Sequence, residues 1–116
     1  MNLSESLKNS KQFSNVYKNG ISYANRYLVM YKLENQLGTN RLGISVSKKV
    51  GNSVIRHRVT RLIRESFRLN KNKFSNGYDI VVVARVAAKD KQYKEIESAL
   101  LHVANLHKIV KEMIES

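Results

Sequence analysis

His57, Arg61, Arg64 and Arg68 recur at i, i+4, i+7 and i+11, the spacing that lines side chains up along one face of an α-helix. Between Asn52 and Arg68 the chain carries five arginines and one histidine against a single acidic residue, Glu65. On a helical wheel with Arg56 as origin, the row falls at about 80° to 140°, and Glu65 lies off it at about 180°. Ile55, Val59, Leu62, Ile63 and Phe67 fill the opposite arc, about 240° through 20°, as a core-facing stripe. A helix face that only meets solvent would mix Glu with Lys. Cations without carboxylates repel one another in the free protein, so an anion has to offset the cost. Guanidinium forks match phosphate oxygens geometrically, which makes phosphate the expected partner.

The preceding loop, "SVSKKVGNS", brings Lys48, Lys49 and Gly51 to a helix N-terminus, where unsatisfied N–H groups and the helix dipole favour phosphate. It lacks the glycine count and the Lys-Ser/Thr ending of a nucleotide-binding P-loop. The charge distribution agrees. The net charge is +12, and residues 41–73 hold ten basic and one acidic side chain, whereas residues 74–116 hold six of each. With a sequence pI near 10.1, a polyanionic partner is indicated.

The elements that must position these residues follow from periodicity and punctuation. "SKQFSNVYKNG" reads as a short helix, with Phe13, Val16 and Tyr17 at i, i+3, i+4 and Gly20 as its stop. "YANRYLVMYKL" and "RLGISVSKK" read as strands joined through "LENQLGTN". In the first, Tyr27, Val29 and Tyr31 share one face and Leu28 and Met30 the other; in the second, Leu42, Ile44 and Val46 oppose Gly43, Ser45 and Ser47. Asn52 or Ser53 can cap the arginine-rich helix, which runs to about Asn70. "DIVVVAR" reads as a strand buried on both faces. A last amphipathic helix is expected from Gln92 to Ile114, with Ile96, Leu100, Val103 and Val110 inward. The order is helix, two or three strands, helix, strand, helix.

A chain of 116 residues without proline or a Gly/Ser-rich tract is expected to form one domain, residues 1–116. There is no cysteine, so neither disulfides nor thiolate chemistry arise, which suits a reducing cytosol. Neither the N-terminus nor any other stretch has the apolar run of a signal peptide or membrane span; a soluble, unprocessed protein is expected. No HExxH, nucleophile elbow or paired-histidine nuclease motif is present. His102 and His107, five apart on the last helix, are poor joint metal ligands and are expected at the surface or its boundary.

"ANRYLVMY", "LGISVSKKVGNSVIRHRVTRLIRE" and "DIVVVAR", in that order and spacing, resemble the bacterial ribonuclease P protein family from about Phe13 to the final helix. Two positions depart from it: the usual Arg-Asn-Arg core is Arg56-His57-Arg58 here, and the proline that often follows "AR" is Val86. The resemblance implies an α/β (α+β) two-layer sandwich with a four-stranded mixed sheet and a left-handed strand-helix-strand crossover. It also implies a cytoplasmic protein that binds a large catalytic RNA and assists removal of the 5′ leader from precursor tRNA. The RNA performs the hydrolysis with Mg²⁺; the protein contributes no catalytic residue, no metal site and no membrane contact. Carried over position by position, the leader cleft comprises Phe13, Tyr17, Tyr31, Ser45 and Lys48. The catalytic-RNA face comprises Lys49, Asn52, Arg56, His57, Arg58, Arg61, Arg64 and Arg68.

The residues themselves support that division. Phe13 and Tyr17 share a helical face, Tyr31 stands on a strand, and stacking on unpaired bases suits such a set. Tyrosine hydroxyls want a wet end, which favours the cleft for Tyr17 and Tyr31, while Phe13 suits core or cleft equally. Three rivals remain. A ribosomal or other structural RNA-binding protein of related fold would co-purify with ribosomes. A helix-turn-helix DNA binder would need a helix where "LGISVSKK" reads as a strand. A protein nuclease would cut without RNA.

Overall fold

The computed structural model describes residues 5–111. In chain order the elements are β1 (Glu5–Ser6), α1 (Ser10–Asn19), β2 (Ile21–Ala24), β3 (Leu28–Glu34), β4 (Arg41–Ser45), α2 (Ser53–Leu69), β5 (Tyr78–Ala84) and α3 (Tyr93–Leu106). Short 3₁₀ turns, Lys71–Lys73 and Val86–Ala88, flank β5. The sheet runs β1-β4-β5-β3-β2, with β4 parallel to β1 and β5, and β3 antiparallel to β5 and β2. Four strands make the mixed sheet; β1 adds only two residues at its edge.

Alternation along each strand decides what the two faces hold. Leu28, Met30, Leu42, Ile80 and Val82 point to one face and meet Val59, Ile63 and Phe67 of α2 and Ile96, Leu100 and Val103 of α3. Each of these side chains contributes about 1.5 to 3 kcal/mol by burial. The opposite face is covered in part by α1, whose Val16 joins Leu7 and Val81 in a smaller cluster flanked by Phe13, Tyr31, Leu33 and Val83. β5 therefore has apolar neighbours on both sides, which accounts for its apolar run from Ile80 to Ala84.

Local chemistry sets the ends. Asn9 caps α1 and Asn52 caps α2, each side chain accepting from the N–H three residues on, Gln12 and Ile55. Gly20 lets α1 end against β3, because a Cβ there would lie 2.6 Å from the carbonyl oxygen of Val16 and 2.8 Å from that of Lys32. α3 opens with a capping box between Gln92 and Glu95.

Three expectations need correction. "YANRYLVMYKL" is not one strand: Asn25 accepts from the N–H groups of Tyr27 and Leu28, closing an Asx turn that folds β2 back on β3. Tyr27 consequently leaves the face of Val29 and Tyr31 and packs on the main core. The last helix stops at Leu106, not Ile114. Lys108 adopts φ 62°, and the N–H groups of Lys108 and Ile109 bond back to Asn105 and Ala104, the Schellman pattern with lysine where glycine is usual. Val110 reaches inward through a bridge to Phe74 instead; Ile114 lies outside the described residues. His107, expected at the surface or its boundary, is 4% exposed: Nε2 lies 2.7 Å from the carbonyl oxygen of Met30, and the ring meets Tyr23 edge-on.

Candidate RNA interface

The turn between β4 and α2 hangs on a buried side chain, Val50, which leaves Lys48 and Lys49 exposed on its outer side. The N–H of Val50 bonds to the Ser47 carbonyl, and Ser47 Oγ accepts from the N–H of Lys49, which fixes the lysines at the start of α2. Asn52 is exposed but its side-chain oxygen is engaged as the cap. Arg56 is half-buried, with Nη1 3.5 Å from the Gly51 carbonyl oxygen. His57, Arg61 and Arg64 project from one exposed face of α2.

Two arginines are held within the protein. Arg58 is half-buried and donates through Nη2 to the Lys91 carbonyl at 2.6 Å and through Nη1 to that of Lys89 at 3.3 Å, tying α2 to the turn before α3. Arg68 pairs with Glu65, Nη2 to Oε2 at 2.6 Å. The hydrogen bond and charge of Arg68 hold the Glu65 carboxyl below its ordinary range, and Glu65 in turn raises Arg68. Among the described residues, Arg61 and Arg64 have no such carboxylate.

On the opposite face of the sheet the aromatics form a continuous set. Tyr17 meets Tyr31 edge-to-face at 4.9 Å between ring centroids, and Phe13 lies 6.5 Å from Tyr17 at a 49° tilt. Tyr17 is 40% exposed, whereas Phe13 and Tyr31 are half-buried and share the small cluster under α1. Phe13 rests directly on β4: a Cβ on Gly43 would stand 2.6 Å from its ring. The cross-strand register aligns Tyr31, Val81 and Gly43 in one row and Val29, Val83 and Ser45 in the next. All three residues of that second row are only partly buried, which makes a shelf beside α1 that leads toward Lys48.

Topology also gathers cations that lie far apart in the sequence. Arg26 and Arg85 line a shallow groove with Lys49 and Ser47 at the ends of β4 and β5. Arg85 donates to the Asn25 carbonyl at 2.9 Å, so the Asx turn positions it. No local pattern marks these two. Lys71 continues the row of His57, Arg64 and Arg68 by three further residues, beyond the end of α2.

No three His, Asp or Glu side chains cluster as a metal ion requires among the described residues. Asp79 is taken by Arg41 and Asn35, and Glu97 by Asn70 and Tyr93. Burial pushes the Asp79 carboxyl up, but the hydrogen bonds from Arg41 and Asn35 and the guanidinium charge outweigh it and hold it below the usual range. No helix among the described residues is long and apolar enough to cross a membrane.

A cationic helix on one side of a mixed sheet and an aromatic shelf on the other define a small, strongly basic α+β protein. The family model described as Ribonuclease P matches residues 1–108. The chain is 68% identical over 108 residues to the ribonuclease P protein component of Lachnoclostridium phytofermentans, covering 93% of each chain. It is 49% identical over 110 residues to that of Alkaliphilus metalliredigens, covering 95% of this chain and 99% of the other. The RNase P protein structure from Staphylococcus aureus superposes with a TM-score of 0.84 at 39% identity, covering 96% of this chain and all of that one. That from Thermotoga maritima gives 0.82 at 30% identity, covering 97% and 99%. The chain belongs to the ribonuclease P protein family. It is the protein component of an endoribonuclease that acts with an RNA subunit in processing tRNA 5′ leaders.

Proposed function

We propose that the two faces of the sheet divide the work of that complex. The exposed row of α2 with its loop, Lys49, His57, Arg61 and Arg64, meets phosphates of the catalytic RNA, flanked by Asn52, Arg56 and Arg68. Tyr17, Tyr31 and the shelf at Ser45, ending at Lys48, receive the unpaired leader of precursor tRNA. Phe13 backs this cleft, and Arg58 acts by fixing α2 in place. The observation that carries the reading is the separation itself: carboxylate-free cations on one side of β4 and a connected aromatic set on the other. Hydrolysis and its Mg²⁺ belong to the RNA in this reading, and the work is done in the cytoplasm, with tRNA.

Stacking needs exposed ring area, and Tyr17 supplies the most of the three aromatics. With the holoenzyme reconstituted on its RNA subunit, Tyr17→Ala should weaken binding of leader-bearing precursors by about 1 to 3 kcal/mol for a stacked base. Mature tRNA should bind as before. Equal losses for both, or a lowered melting temperature, would make Tyr17 a packing residue and send the leader elsewhere.

A further inference from the structure

β1 is two residues long, so it covers the outer edge of β4 only at Arg41 and Leu42. Beyond it the edge opens into a cavity of about 380 Å³, walled by Leu7, Phe13, Gly43, Ile44 and Phe67. That is the size range of sites for small organic groups, about 300 to 1,000 Å³. Arg64, Arg68 and Lys71 stand around it and no carboxylate lines it. Arg68 is answered by Glu65, while Arg64 and Lys71 have no ion-pair partner among the described residues.

The strand edge adds a hydrogen-bonding pair. The Leu42 carbonyl points outward, where it accepts from the N–H of Leu7. Backbone groups two residues apart on a strand point the same way, so the N–H and C=O of Ile44 face outward too, past the end of β1. An aromatic and aliphatic wall, an adjacent donor and acceptor, and cations at the mouth match the three parts of a nucleotide: base face, base edge and phosphate. A bare anion would need only the cations.

We propose that this cavity takes one unpaired RNA nucleotide, its base against Phe13 and Phe67, its edge at Ile44 and its phosphate on Arg64 and Lys71. The proposal rests on the reading that α2 meets RNA, and adds a base-holding site between the two faces that reading describes. The nucleotide comes from either the catalytic RNA or the leader, and each source leaves a different mark.

Two measurements test it. The wild-type protein is titrated with adenosine 5′-monophosphate and with ribose 5-phosphate while amide NMR shifts are followed. The adenosine compound should move the Gly43 and Ile44 amides, and the base-free compound should not. Ser6→Trp, at the lip of the cavity, fills it and leaves every charge in place. In the holoenzyme it should weaken binding by about tenfold, the loss of one stacked base. A loss for the RNA subunit assigns the nucleotide to that RNA; a loss confined to leader-bearing precursors assigns it to the leader. Equal shifts with both compounds, no shift with either, or full affinity for both RNAs in Ser6→Trp overturns the proposal. Cleavage of precursor tRNA by that same holoenzyme would show the broader function intact.

Discussion

Removing Arg61 and Arg64 together should flatten the salt dependence of binding to the RNA subunit by an amount that the ion pairs of α2 set. Each phosphate neutralised contributes about 0.7 to 0.9 to the slope of log affinity against log salt. Both arginines are exposed and lack a carboxylate, so the double alanine variant should lose about 1.4 to 1.8 units of slope. Between 50 and 200 mM salt, that is about 7- to 12-fold less loss of affinity than the wild type suffers. Arg68 differs because Glu65 already answers its charge, so Arg68→Ala should flatten the slope less than Arg61→Ala does. Glu65→Gln should act in the opposite direction, releasing Arg68 and steepening the slope by up to about 0.9. The assay is fluorescence anisotropy of labelled RNA subunit across a salt series, with thermal unfolding to show that each variant is folded. A slope unchanged in the double variant, or Arg68→Ala equal to Arg61→Ala, refutes the reasoning.

Other expectations concern stability. Burial holds the His107 imidazole below 6.5, the Met30 carbonyl opposing this and the charge of Lys32 adding to it. The unfolded chain then takes up a proton near 6.5 while the folded one does not, so stability present at neutral pH is lost as pH falls below that value. Denaturant unfolding at pH 7.5 and 5.5 should show the loss, and His107→Gln should reduce it; an unreduced loss assigns it to another group. Gly20→Ala forces a Cβ against two backbone carbonyls and should cost about 1 to 3 kcal/mol, with α1 lifting from β3. An unchanged melting temperature would mean that the backbone yields there at no cost.

Much of the molecule is legible in the chain because it is decided within a turn or two of helix. The split of α2 into an apolar stripe and a cationic row, a cap at Asn52 or Ser53, the alternation of Leu42 and Ile44 against Gly43 and Ser45, and the doubly buried run of β5 are all local patterns. Periodicity records which side of an element is buried, and caps record where it starts. Net charge concentrated in residues 41–73 is likewise a sequence property, and it points to a polyanion without reference to any contact.

What periodicity could not supply depends on residues far apart in the chain. Asn25 closes a hairpin inside a stretch that reads as one strand, and its side chain reaches the Ala99 carbonyl on α3. Lys108 takes the left-handed position that glycine would have announced, and so carries His107 under the sheet to Met30. Arg58 reads as one cation among five, until folding brings the carbonyls of Lys89 and Lys91 within its reach. The cavity beside β4 exists because β1 ends early while α1 and α2 approach from opposite faces, a matter of strand length and layer packing. The chain determined which groups could bind phosphate and base; the tertiary structure decided which of them remain available to do so, because intramolecular partners compete for the same donors and charges.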